Sequence, residues 1–389
     1  MKFRKANVYK LCVIVVGFLM LCVPCVLGYM MRGRQLKAVD ENRTLDAWPE
    51  GSVLQVITSD GSYCTGIENY FNDRFGLRDL MIRTKNQIQY YVFGMTPGIY
   101  VGDDGYLSYQ SIVAKAQISN ERMTEEDLEG MVTSFEGVAD YLDERGIAFF
   151  FLLAPQKNEV FPERCTAFPV ERPTPNNYEK LCSLIRESDA ISDNFIDAEA
   201  ILYEAENHYP TFYKTDFHWN SYGATVVYTE AVNACAAFEG LEDVFGPDTY
   251  TVVEQEGFRG TQLNDMPLLY AWPSEIDYKT VKNSEVTIEN VTDGTEPNYA
   301  QAHYVNTDEN APLGRVLLIG DSYTWFMIAA NSGILDCFRE VYWVHVGTMA
   351  NSLTNYADLV DYVILEQVES GPESSILSLK DHIDTLYTE

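Results

Sequence analysis

The sequence predicts a three-layer α/β domain with a mostly parallel sheet, carried behind an N-terminal transmembrane helix. Three observations predict it. Leu11 to Met31 is an uncharged run of 21 residues, long enough at about 1.5 Å per residue to cross a hydrocarbon core of about 30 Å. Beyond it, short and continuously apolar runs bounded by Gly or Pro mark strands buried on both faces. These runs alternate with helical stripes, as a parallel sheet covered on both sides requires.

Lys2, Arg4, Lys5 and Lys10 precede the membrane run, and Arg32, Arg34 and Lys37 follow it. The charge bias across it is slight, so its N-terminal position sets the orientation: N-terminus inside, body outside. The run exceeds a signal-peptide core of about 7–15 residues and lacks an A-x-A ending, which favours an uncleaved anchor. Cys25, preceded by Val23-Pro24, lacks the small residues expected before a lipidated cysteine.

Residues 1–37 are thus the cytoplasmic tip and anchor, 38–64 a stem that starts as a polar spacer from Ala38 to Gly51, and 65–389 the α/β domain. Gly66 to Phe93 carries apolar residues at helical spacing and reads as one or two amphipathic helices. Thr124 with Asp127 forms a capping box, a helical stripe runs to Leu142, and Gly146 closes it. Ile147 to Ala154, between Gly146 and Pro155, is a buried strand. Tyr178 to Glu187 reads as helix, Phe195-Ile196 as a short strand, Ala224 to Phe238 as helix, Arg315 to Ile319 as strand and Thr324 to Ala330 as helix. Val341 to Val346 and Tyr362 to Val368 add two strands. From about 240 to 312 the periodicity weakens, and this stretch reads as an irregular insertion.

The chain has 389 residues, 46% of them hydrophobic, so it can bury a large core and is not disordered. Its 27 Lys and Arg face 58 Asp and Glu, and seven of the bases lie before residue 38. So acidic a body is a poor partner for nucleic acid. Of eight cysteines, Cys12, Cys22 and Cys25 lie in the membrane run. The other five are scattered, with no C-x-x-C, so zinc is not expected and the fold rests on its core. No H-E-x-x-H supplies another metal site, and no cofactor is implied. Asn42-Arg43-Thr44 and Asn290-Val291-Thr292 match the glycosylation triplet and are read as chance.

Chemistry concentrates in two places. Arg315 to Ile319 leads into Gly320-Asp321-Ser322-Tyr323 and then a helix-compatible segment, so Ser322 stands at a strand's C-terminal end beside helix amides. Gly320 is read as permitting the tight turn. A turn-capping serine is the alternative unless a base stands nearby. Lys214 to Ala224 supplies one: His218 is one of five histidines, and Asp216 can hold its tautomer. A loop histidine satisfied by an aspartate is the alternative there. No G-x-S-x-G occurs, so the elbow of the α/β-hydrolases is absent.

Thr215-Asp216-Phe217-His218-Trp219-Asn220 with Gly223, followed about a hundred residues later by Gly320-Asp321-Ser322-Tyr323, resembles the alginate O-acetyltransferase branch of the SGNH hydrolases and the related DHHW proteins. The resemblance extends to Glu41-Asn42-Arg43, Tyr70 to Phe75, Leu77-Arg78, Val101-Gly102, Asp104 to Leu107, and Ala154-Pro155 with Lys157. It departs at Asp-Phe-His, where the DHHW group has Asp-His-His, and at Glu366 to Ser370, which ends in serine where arginine is common.

The resemblance implies an SGNH-like, extracytoplasmic, single-pass enzyme of the cell membrane. It would move acetyl groups from a multispanning membrane acyltransferase onto a secreted or cell-wall polysaccharide. It implies the triad Asp216, His218 and Ser322, with an acetyl-serine intermediate. The Ser322 amide is one oxyanion donor and Asn351 is the candidate for the second. Trp219 and Tyr323 are candidates to stack on sugar, with packing as the alternative. Asn220 completes the motif, and Lys157 is carried as a residue pointing into the cleft, with a surface lysine as the alternative. The rival functions are a carbohydrate acetylesterase, in which water resolves the acyl-serine, and an inactive glycan-binding or assembly scaffold.

Overall fold

The computed structural model describes residues 2–31, 45–52, 61–165, 172–291, 300–371 and 375–387. The tripeptides Glu41-Asn42-Arg43 and Asn42-Arg43-Thr44, much of the stem and Thr292 lie outside them. The chain divides into two compact units, Met1–Pro97 with Leu263–Pro273, and Gly98–Gln262 with Ser274–Glu389.

In the first unit, Lys2–Met31 is one helix whose stretch Val8–Met30 is long and apolar enough to cross a membrane. The periodic segment before Gly94 resolves into two helices, Ser62–Asp73 and Arg78–Phe93. The break at 74–77 is enforced by close packing. Gly76 donates its N–H to the Pro24 carbonyl at 3.1 Å, and a Cβ on Gly76 would stand 2.3 Å from that oxygen. The unit ends in the two-residue strand β1 (Met95–Thr96).

The second unit opens with the antiparallel pair β2 (Ile99–Val101) and β3 (Leu107–Tyr109). Helix Glu125–Asp143 begins at the expected capping box, in which Thr124 Oγ1 accepts from Asp127 N and the Asp127 side chain accepts from Thr124 N. Past its last turn, Gly146 takes φ 69°, a left-handed conformation that glycine adopts at low cost.

The central sheet is built on four parallel strands in the order β4 (Ala148–Ala154), β11 (Tyr362–Val368), β9 (Leu313–Gly320), β10 (Phe338–His345). Antiparallel β8 (Gln301–Asn306) and β7 (Ile288–Asn290) extend it beyond β10. The region 240–312 thus supplies two sheet strands, and also a separate antiparallel hairpin of β5 (Tyr250–Phe258) and β6 (Glu275–Lys282). Phe195-Ile196 is shorter than expected, a single bridge from Phe195 to Phe151.

Both faces of the parallel strands are buried, which explains their unbroken apolar runs. Phe150, Leu152, Val316, Leu318, Val341, Trp343 and Ile364 face a layer with helices Ala198–Ala205, Ser221–Phe238 and Ser322–Ala329. Phe149, Phe151, Leu317, Ile319, Val363 and Leu365 face helices Glu125–Asp143, Asn177–Glu187 and Ile376–Asp384. Among the described residues no disulfide adds to this core: Cys165, Cys182, Cys235 and Cys337 are buried free thiols. Burial pushes the Cys165 and Cys337 thiols up to about 12.

Phe151 is fully buried and stacks on Phe135 with centroids 4.1 Å apart. Phe151→Ala is expected to cost about 3–5 kcal/mol, lost transfer free energy plus cavity, measured by denaturant unfolding. A cost below about 1 kcal/mol would mean this layer is not close-packed.

Candidate active site

The site lies at the C-terminal ends of the parallel strands, where ligands gather in such sheets. Thr211 and Asn220 close the base of a loop: Asn220 N donates to Thr211 O at 2.9 Å, and Phe212 bridges Trp219. Asn220 caps the following helix by accepting from Gly223 N at 2.8 Å and donates Nδ2 to Pro210 O at 2.6 Å. Gly223 is needed for the close approach, since a Cβ there would stand 2.2 Å from Thr211 O.

The loop carries Asp216 and His218. Asp216 Oδ1 lies 2.6 Å from His218 Nδ1, and His218 Nε2 lies 2.7 Å from Ser322 Oγ. Asp216 Oδ2 accepts from the N–H and hydroxyl of Thr261 at 2.8 and 2.9 Å. Burial works to raise the Asp216 carboxyl, but the bonds from His218 and Thr261 outweigh it and hold the group below the usual carboxylate range. The imidazole is flanked by Phe217 at 3.9 Å and stacked by Phe326 at 4.2 Å.

Ser322 is half-buried and begins helix Ser322–Ala329 directly after β9. Asp321 caps this helix, with Oδ1 accepting from Tyr323 N at 2.9 Å and Oδ2 from Val368 N at 3.0 Å. Gly320 is not among the residues with positive φ; space, rather than backbone freedom, requires it. A Cβ there would stand 2.0 Å from Thr324 Oγ1.

Lys157 is not a surface lysine. It is 1% exposed, and its ammonium donates to the carbonyls of Tyr213, Lys214 and Asp216 at 3.0, 2.9 and 2.8 Å, with Gln262 Oε1 at 3.2 Å. It therefore holds the Asp216 loop from inside. From the other side Glu275 accepts from Lys214 N at 2.6 Å and Thr215 N at 2.8 Å.

Trp219 and Tyr323 are fully buried, which corrects the sugar-stacking reading. Trp219 Nε1 donates to Tyr323 O at 3.0 Å, and the Tyr323 hydroxyl donates to Phe217 O at 2.7 Å, so the pair stitches the histidine loop to the serine helix. Asn220 is 1% exposed and its amide is used in the cap. Asn351 is exposed, at φ 59°, and its N–H donates to Thr385 O. Its neighbours Met349 and Leu353 pack in the layer opposite the serine helix, and among the described residues no hydrogen bond joins Asn351 to Asp216, His218 or Ser322. Ser370, at the departing end of β11, accepts from Gln156 Nε2 through its carbonyl at 2.6 Å.

Thr261, Gln262, Glu275, Gln156 and Phe326 escaped the sequence reading. Phe326 alone carried a local signal, since it lies four residues after Ser322 and so on the same helix face.

The SGNH hydrolase-like domain of the acetyltransferase AlgX matches residues 99–346. The probable alginate O-acetylase AlgJ of Pseudomonas syringae pv. tomato is 22% identical over 331 residues, which cover 82% of this chain and 75% of that protein. Among solved structures, Bacillus cereus PatB1 superposes with a TM-score of 0.51 at 14% identity, over 74% of this chain and 99% of that one. The O-acetyltransferase domain of Pseudomonas putida AlgJ gives 0.44 at 18% identity, over 73% and 99%.

Burial lowers the Lys157 ammonium to about 8 against its ordinary 10.5, opposed by the nearby Asp216 and Glu275 charges. Between those two values the unfolded chain holds more protons than the folded one, so this residue makes stability rise with pH across that window. Lys157→Met is expected to destabilise the chain by about 1–3 kcal/mol or more, through the buried carbonyls it leaves unpaired. The gap from wild type should widen between about pH 8 and pH 10.5. Urea unfolding as a function of pH reads both, and a gap that stays flat would count against the buried ammonium.

Proposed function

Because the chain belongs to the family of SGNH hydrolase-like domains typified by the acetyltransferase AlgX, we propose that it is a membrane-anchored, extracytoplasmic O-acetyltransferase. Its acceptor is a secreted or cell-wall polysaccharide, its donor a multispanning membrane acyltransferase, and it works through Asp216, His218 and Ser322. The observation that carries this reading is the unbroken line from Asp216 Oδ1 through both ring nitrogens of His218 to Ser322 Oγ. The apolar stretch Val8–Met30 supports the anchor, and the probable alginate O-acetylase supports a polymeric sugar acceptor.

The chemistry follows from the geometry. Ionised Asp216 accepts from His218 Nδ1 and leaves Nε2 as the basic nitrogen facing Ser322. Nε2 takes the Oγ proton as Oγ attacks the acetyl carbonyl. The tetrahedral adduct then expels the donor's leaving group, which receives that proton from His218, and an acetyl ester remains on Ser322. In the second half a sugar hydroxyl gives its proton to Nε2 and attacks the acetyl carbonyl; the adduct expels Oγ, which takes that proton back from Nε2, and the acetyl group stays on the sugar.

The oxyanion needs a donor that is not already engaged. The N–H groups of Asp321 and Thr324 go to Glu366, and that of Tyr323 goes to Asp321. We assign the Ser322 amide, between them at the helix N-terminus, to the oxyanion.

The test incubates the full chain in detergent with a chromogenic acetyl ester, follows the acetyl adduct by intact mass, and adds an oligosaccharide acceptor. Ser322→Ala is expected to abolish the adduct, and His218→Ala to slow turnover by about 10²–10⁴-fold. Acetyl found on the sugar identifies a transferase, whereas acetate alone identifies an esterase. Silence from folded wild-type protein would sink the catalytic reading in favour of a scaffold.

A further inference from the structure

Glu366 has no part in the steps above, yet it bonds the residues on either side of Ser322 and Tyr323. It sits on β11, fully buried, with its side chain on the sheet face that carries helix Ser322–Ala329. Its Oε2 accepts from Asp321 N at 3.0 Å, from Thr324 N at 3.2 Å and from the Thr324 hydroxyl at 2.7 Å. The Tyr228 hydroxyl lies 2.6 Å from that of Thr324 and completes the chain of donors. Oε1 is buried and, among the described residues, has no hydrogen-bond partner.

That asymmetry, with the burial of the group, favours the neutral acid against the three bonds that favour the anion. An ionised carboxylate with one oxygen buried and unpartnered is costly, whereas a neutral acid carries its proton on Oε1 and leaves one O–H, not a charge, unpaired. The polar groups facing Glu366 are the Asp321 carboxylate and the hydroxyls of Tyr228, Tyr323 and Thr324. Its partner across the sheet on β4 is Leu152. Burial and the Asp321 charge both push the Glu366 carboxyl well above its ordinary range.

We propose that Glu366 is a positioning residue for Ser322: as a neutral acid it ties, through one oxygen, the two amides that bracket Ser322 and Tyr323. This rests on the reading of Ser322 as nucleophile. The arrangement fixes where Oγ and the Ser322 N–H stand, and it places no negative charge beside the oxyanion. It also accounts for Gly320, because a Cβ there would stand 2.8 Å from Glu366 Oε2 as well as against Thr324.

The test measures ester turnover by the full chain in detergent, together with the rate at which a sulfonyl fluoride labels Ser322, for wild type, Glu366→Gln, Glu366→Leu and Thr324→Val. Glu366→Gln keeps a neutral acceptor in place and is expected to hold kcat within about threefold, whereas Glu366→Leu lowers kcat and labelling about 10²-fold with KM little changed. Thermal unfolding checks that each variant folds. If Glu366→Leu does not fold, Thr324→Val carries the test, with an expected loss of about tenfold in kcat.

Equal activity in wild type and Glu366→Leu, or in wild type and Thr324→Val should the leucine variant not fold, would overturn the proposal. So would a Glu366→Gln variant as impaired as Glu366→Leu, because a charge or a proton would then be required. In each of these cases a reactive wild-type Ser322 leaves the catalytic reading standing. A wild-type Ser322 that neither turns over ester nor takes the label would remove the catalytic reading, and this inference with it.

Discussion

One buried ammonium organises the loop that holds Asp216 and His218. The loop around Asp216 and His218 has no helix or strand of its own, so its carbonyls need donors from elsewhere. Lys157, in the short helix Lys157–Val160 after β4, supplies three donors, and they converge on the carbonyls of Tyr213, Lys214 and Asp216. The loop is thereby fastened to the rigid end of a sheet strand. Its aspartate faces the histidine because its main chain has nowhere else to go.

Two buried carboxyls near one serine are pushed in opposite directions, Asp216 toward its anion and Glu366 toward its neutral acid, and local wiring is the reason. Both oxygens of Asp216 are met by donors, from His218 on one and Thr261 on the other, so charge is favoured there. Glu366 has donors on one oxygen only, with the Asp321 carboxylate nearby, so charge is disfavoured. The separation follows the logic by which active sites obtain an anion and an acid from the same functional group. Here the carboxyl favoured as an anion meets His218, and the one favoured as an acid meets the amides of Asp321 and Thr324 on either side of Ser322 and Tyr323.

The sheet was legible because its signals are local. Ala148–Ala154 and Tyr362–Val368 are short apolar runs with turn residues nearby, and each divides its side chains between two covering layers. Asp216, His218 and Ser322 were legible because one of only five histidines stood with an aspartate and, later, a Gly-Asp-Ser turn in motif order. What stayed hidden depends on distant partners. Lys157 reads as a surface residue until carbonyls from 56 to 59 positions away surround it. Thr261 and Glu275 come from the stretch that shows no clear period, where β5 and β6 pair with each other and β6 is tied to residues about 60 positions earlier. Trp219 and Tyr323 look like sugar platforms in sequence, yet the loop and the serine helix bury them against one another. Asn351 follows the right strand but turns to the other face of the sheet.

The bond between His218 and Ser322 spans 104 positions of the chain, and the turn that presents Ser322 is held in turn by β11, later still. Contacts of such sequence separation form late, after the loop-closure entropy of the intervening chain has been overcome. A polypeptide still being completed from its N-terminus therefore carries a histidine without its serine, and then a serine without the strand that ties its turn. If Ser322 is the nucleophile, as proposed, its seat is complete only when the last strand docks, so an unfinished or clipped chain would stay chemically silent.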